Sequence, residues 1–143
     1  MIALEVTVHR HLDPGDPSDE RVARVVREVL SAEQADGEWV VSVVFVDDAE
    51  MQEMHRDYMQ IDEPTDIMTF PSDPDFDGVI GGDLVISVDT ARLQAPDHDL
   101  STNQELEFLI AHGVLHLLDW DDKDPNDRIK MLDRQREILA GLA

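Results

Sequence analysis

A chain of 143 residues is long enough to bury a hydrophobic core as one domain, and its lack of cysteine excludes a disulfide scaffold and any thiolate metal site. The formal charge of −22, from 33 acidic and 11 basic side chains, excludes a broad basic footprint for nucleic acid, so contact with such a polymer must be local. With no basic-then-apolar start and no stretch approaching a membrane span, the expectation is a cytoplasmic protein, not bound to membrane, with residues 1–143 in a single domain.

Ile2 to His9 alternates apolar and polar residues as a half-buried strand does, and Leu12 to Pro17 breaks it with Pro14, Gly15 and Pro17. Pro17 to Ala32 reads as an amphipathic helix, with Val22, Val25, Val26, Val29 and Leu30 on one face. Trp39 to Val46 is nearly all apolar and rich in Val, which predicts a central strand covered on both faces. Asp47 and Asp48 cap a helix running to about Gln60, and Pro64 and Pro71 bracket a short strand, Ile67 to Phe70. A Gly/Asp/Pro-rich loop, Pro71 to Gly82, precedes a strand from Leu84 to Val88. Ser101 and Gln104 form a capping box that opens a helix from Thr102 to about Leu118, and Asp124-Pro125 opens a last helix to about Leu139. The sum is an α+β fold: a mixed sheet of about four strands with about four helices.

The carboxylates are spread between these periodic segments, which is the pattern of a solvated folded surface and not of a disordered acidic tail. One physical reading is adaptation to molar salt, where a Debye length of about 3 Å screens self-repulsion. The other is simple solubility. Loss of structure on withdrawing salt separates them.

The chemistry lies in the helix beginning at Thr102. Leu106, Phe108, Leu109, Ile110, Val114, Leu115, Leu117 and Leu118 make it apolar on nearly every side, so it must be deeply buried. His112 and His116 interrupt it four residues apart, which puts both imidazoles on one face at the spacing two ligands of one metal need. Two core histidines would each require a separate hydrogen-bond partner, whereas a metal satisfies both at once. Gly113 stands where a metallopeptidase places its glutamate, so that base is missing. A mid-helix glycine also costs about 1 kcal/mol against Ala, which predicts a close approach to the backbone there. Asp119, Asp121, Asp122 and Asp124 crowd the helix end; each alone reads as solvated or capping, yet one of them can fold back as a third ligand. Two His, one carboxylate and a water form an open, catalytic type of site.

The segment His112 to Asp122, HGVLHLLDWDD, resembles the signature His-Gly-x-Leu-His-Leu-x-Gly-Tyr-Asp-His of the YbeY family. Pro64 to Pro71 resembles the family's Pro-Thr-Asp-Val-Leu-Ser-Phe-Pro, Gly82 to Ser87 its Gly-Asp-Ile-Val-Ile-Ser, and Met131 and Gln135 suit its C-terminal helix. The resemblance implies a zinc-dependent, single-strand-specific endoribonuclease acting in small-subunit (16S) rRNA maturation and ribosome quality control. The expected mechanism is a metal-activated water attacking a phosphodiester. Implied partners are the 16S rRNA precursor, the ribosomal small subunit and a ribosome-assembly GTPase. The family's third histidine falls at position 122, making Asp122 the expected third ligand beside His112 and His116. A carboxylate ligates zinc at about 2.0–2.2 Å but weakens its Lewis acidity and favours harder ions such as Mn2+.

Asp119 stands where the family has a helix-ending Gly, and Trp120 where it has Tyr, an aromatic exchange expected to pack. At Tyr58-Met59 the family carries Tyr-Arg, with the arginine toward the phosphate backbone; Arg56, one turn earlier, is the candidate substitute, the alternative being an ordinary surface arginine. His9, His11, His55 and His98 are not expected to be ligands, and no residue is singled out as a general base. Two further readings stand beside the nuclease: a ribosome-assembly factor that binds without cleaving, and a metal hydrolase of some small substrate.

Overall fold

A computed structural model describes residues 2–11, 17–73 and 78–142. The expected turn from Leu12 to Pro17, Pro17 itself excepted, and the centre of the Pro71–Gly82 loop lie outside these residues. The elements run β1 (Ile2–Arg10), α1 (Asp19–Ala32), β2 (Gly37–Val46), α2 (Asp48–Met59), β3 (Ile67–Pro71), β4 (Ile80–Ser87), α3 (Val88–Gln94), a 3-10 turn (Ala95–His98), α4 (Thr102–Leu117) and α5 (Pro125–Ala140). The strands form a four-stranded mixed sheet in the order β1-β2-β4-β3. β2 pairs in parallel with β1 and β4, and β3 closes the far edge antiparallel to β4.

The main core fills one face of this sheet. Val22, Val25, Val26, Val29 and Leu30 of α1 and Leu106, Ile110 and Val114 of α4 pack over Val41, Val43 and Phe45 of β2 and Leu84 and Ile86 of β4. Met131 and Ile138 of α5 complete it. Each such side chain contributes about 1.5–3 kcal/mol on full burial. On the other face, Met51 of α2 meets Val46, Met68 and Val85 in a smaller cluster.

Four expectations change. β2 is central, but its second face is covered only near its C-terminal end, and Val40 remains 37% exposed. α1 starts at Asp19 because Ser18 is the cap, its side chain accepting from the Arg21 N–H. β4 begins at Ile80, not Leu84: Gly81 and Gly82 read as loop breakers, yet they have φ of 129° and 149° inside the strand. A Cβ at Gly82 would lie 2.3 Å from the Phe70 carbonyl oxygen and one at Gly81 2.1 Å from the Val40 carbonyl oxygen, so Gly82 admits the β3 backbone and Gly81 that of β2. A fifth helix among the described residues, α3, follows at once, capped by Ser87 accepting from the Thr90 N–H.

Candidate metal centre

α4 is built as its sequence demands. The Ser101–Gln104 capping box is formed at its start, and Leu106, Leu109, Ile110, Ala111, Val114 and Leu115 are buried around its circumference. Gly113 lets it lie against the sheet: a Cβ there would meet Leu84 Cδ2 at 2.7 Å and Ile67 Cδ1 at 2.9 Å. The same contact aims the neighbouring imidazoles away from the sheet, toward α5 and the loop after α4.

That loop folds back through Asp119, whose φ of 70° is the left-handed conformation a helix-ending Gly usually supplies. The Trp120 N–H then bonds the Leu115 carbonyl at 3.0 Å and closes the helix. Two residues on, Asp122 reaches the histidines. Asp121 instead accepts from the Lys123 N–H, and Asp124 caps α5 by accepting from the Asn126 N–H. One carboxylate of the four therefore faces the pair, and two serve the local backbone.

His112 Nδ1 donates to Gln135 Oε1 at 2.9 Å, and His116 Nδ1 donates to the Trp120 carbonyl at 3.0 Å. Gln135 is fully buried on α5, and its own amide donates to the Phe108 carbonyl, which fixes Oε1 toward His112. Both imidazoles are thus held in the Nδ1–H tautomer with bare Nε2 atoms. Those atoms lie 3.0 Å apart, and Asp122 Oδ2 is 3.4 Å and 3.5 Å from them. Three lone-pair donors converge with no proton assigned between them. Such a cluster repels itself unless a cation is shared, which is the donor set of an open two-His, one-carboxylate site. Burial holds the His112 pKa below its ordinary value, with the His116 charge adding to the effect against the Gln135 bond, so the ring stays neutral and ready to ligate. The three side chains are 19%, 27% and 33% exposed, leaving the donors within reach of solvent.

Arg56 lies on α2, half exposed, 3.6 Å from Asp57 and 3.9 Å from Asp62. Met59 is 51% exposed at the end of the same helix. His55 bonds the Glu63 carbonyl, His11 pairs with Glu50, and His98 pairs with Glu105 at 2.7 Å. Glu105 is a buried carboxylate that sequence reasoning passed over: it shares a small cleft with Asp66 and His112, and burial raises its pKa against the opposing His98 bond. Trp120 packs on the main core, as expected of an aromatic exchange, but its carbonyl also orients His116.

Fold and site together define a class: an α+β protein in which two histidines of one helix and an aspartate of the loop after it form a group able to hold one metal ion. The family described as endoribonuclease YbeY matches residues 11–143. Proteins named endoribonuclease YbeY are similar to this chain at 39% identity in Oceanobacillus iheyensis, covering 91% of this chain and 93% of that protein, and at 37% in Desulfitobacterium hafniense, covering 85% and 81%. The solution structure of a Thermotoga maritima protein matches in fold, with a TM-score of 0.62 at 24% identity over 96% of this chain and 86% of that one. The chain belongs to the endoribonuclease YbeY family.

Proposed function

We propose that this protein is a metal-dependent, single-strand-specific endoribonuclease of the cytoplasm that matures the 16S rRNA precursor and takes part in ribosome quality control, with the ribosomal small subunit and an assembly GTPase as partners. The observation that carries it is the convergence of two bare Nε2 atoms and one carboxylate oxygen, within family membership. His112, His116 and Asp122 would hold one Zn2+ per chain, with Mn2+ the competing ion because one donor is a hard oxygen. When bound, the ion supplies Lewis acidity toward a phosphodiester and lowers the pKa of a coordinated water. The chain's own part is to hold both imidazoles in the Nδ1–H tautomer and correctly rotated, through Gln135 and the Trp120 carbonyl, and to leave the donors open to substrate. Arg56 is the α2 cation assigned to the RNA backbone, released from Asp57 and Asp62 on binding. No helix of the described residues is long and apolar enough to cross a membrane.

A second reading is a ribosome-assembly factor of the same fold that binds RNA but cuts poorly. It is favoured by Met59, exposed where the resemblance expects an arginine. Losing one preorganised donor to a developing oxyanion costs about 10²–10³ in rate. Metal content by mass spectrometry comes first, on protein purified in high salt: one zinc per chain, lost in His116→Ala and Asp122→Ala, supports the site, and metal-free wild type refutes it. Cleavage of a single-stranded over a duplex RNA, abolished in both variants and weakened in Arg56→Ala, then supports the nuclease. Retained RNA binding with no ion restoring cleavage selects the assembly factor.

A further inference from the structure

Trp120 has two jobs at opposite ends. Its carbonyl takes the Nδ1 proton of His116, and its indole N–H donates to Glu33 Oε1 at 2.6 Å. Glu33 is the C-cap residue of α1, with its side chain 15% exposed. Its other oxygen, Oε2, accepts from Arg134 of α5 at 2.9 Å from Nε and 2.8 Å from Nη2, and Arg134 also donates to the Ala32 carbonyl. Charge-assisted bonds of this length are among the stronger ones available to side chains.

The helix closure through the Trp120 N–H fixes only the near side of that residue. The direction of its carbonyl, and the path onward to Asp122, turns on rotation beyond the Cα, which the anchored indole restrains. The Glu33–Arg134 pair alone would tie α1 to α5; the bond to Trp120 is the part of the network that such a tie does not need.

We propose that Glu33, backed by Arg134, is a positioning residue for the metal centre, which through Trp120 fixes the acceptor of His116 and the loop that delivers Asp122. This rests on the metal-binding reading of His112, His116 and Asp122. Loss of a partner that orients a ligand weakens metal affinity by about 10–100-fold.

The test is Zn2+ affinity by chelator competition, alongside the melting temperature of the metal-free protein, for wild type, Trp120→Phe, Glu33→Ala and Glu33→Gln. Trp120→Phe keeps most of the ring packing and removes the indole donor; it and Glu33→Ala are expected to bind Zn2+ about 10–100-fold more weakly. Glu33→Gln, which still offers an oxygen to the indole, is expected to recover most of that loss. If Glu33→Ala fails to fold, Trp120→Phe alone decides. Wild-type affinity in Trp120→Phe overturns the proposal, whatever its melting temperature, and leaves the network a purely structural staple. Wild type that binds no Zn2+ refutes the site itself, a result visible before any substitution is made.

Discussion

The two sides of the candidate metal centre are held by different means. His112 faces the interior, where its partner is a fully buried side chain from another helix, and a change there disturbs the core. His116 and Asp122 face the loop after α4, where the partner is a backbone carbonyl and the chain is held by a left-handed aspartate and an indole anchor. One side gets its precision from packing, the other from hydrogen bonds at a helix end. Stability and metal affinity should therefore move together on the first side and separately on the second.

The largest test is Gln135→Ala. It leaves the His112 Nδ1–H facing a void and an unmade bond, an expected cost of about 1–3 kcal/mol in denaturant titration, and it should weaken metal binding by about 10–100-fold. A full loss of affinity with no loss of stability would break the contrast. Gly113→Ala follows. Overpacking against Leu84 and Ile67 costs about 1–3 kcal/mol and better helix propensity returns about 1, so a lower melting temperature is expected, with weaker zinc binding as both flanking histidines are pushed off the sheet.

On the loop side, Asp119→Gly should raise stability by about 0.5–1 kcal/mol, since glycine takes a φ of 70° without steric cost, while zinc affinity stays unchanged. A melting temperature that falls would mean the aspartate side chain contributes something its geometry does not display. The smallest effect is a pH slope. Burial raises the folded pKa of Glu105 above its ordinary 4.5, so the folded state keeps a proton that the unfolded chain gives up. Its contribution is present below that ordinary value and is lost as pH rises through the folded one. Urea midpoints should fall across that window in wild type, and Glu105→Gln should flatten this part of the curve.

What the sequence made legible was local or periodic. The α1 valine stripe, the Ser101–Gln104 capping box and the four-residue histidine spacing are each settled within a few positions, and all are present in the structure. The Asp119 turn was readable because only a few residue types tolerate its φ. The start of β4 was missed because glycines that break a strand and glycines that let another strand approach look alike in one dimension. α3 was missed because seven mostly polar residues carry too little pattern to count as periodic. The supports of the centre were hidden for a different reason: His112 to Gln135 spans 23 positions, and Trp120 to Glu33 spans 87. Such pairs exist only once the sheet has brought α1, α4 and α5 together.

The order of these parts along the chain has a consequence for synthesis. The last strand ends at Ser87, whereas every donor of the centre, and Gln135 behind it, comes from residues 112–135. Synthesis from the N-terminus therefore completes all four described strands before the first donor, His112, is added to the chain. On the proposed function, a nascent nuclease that has not yet reached residue 122 lacks a full donor set and cannot cut the RNA of the ribosome making it.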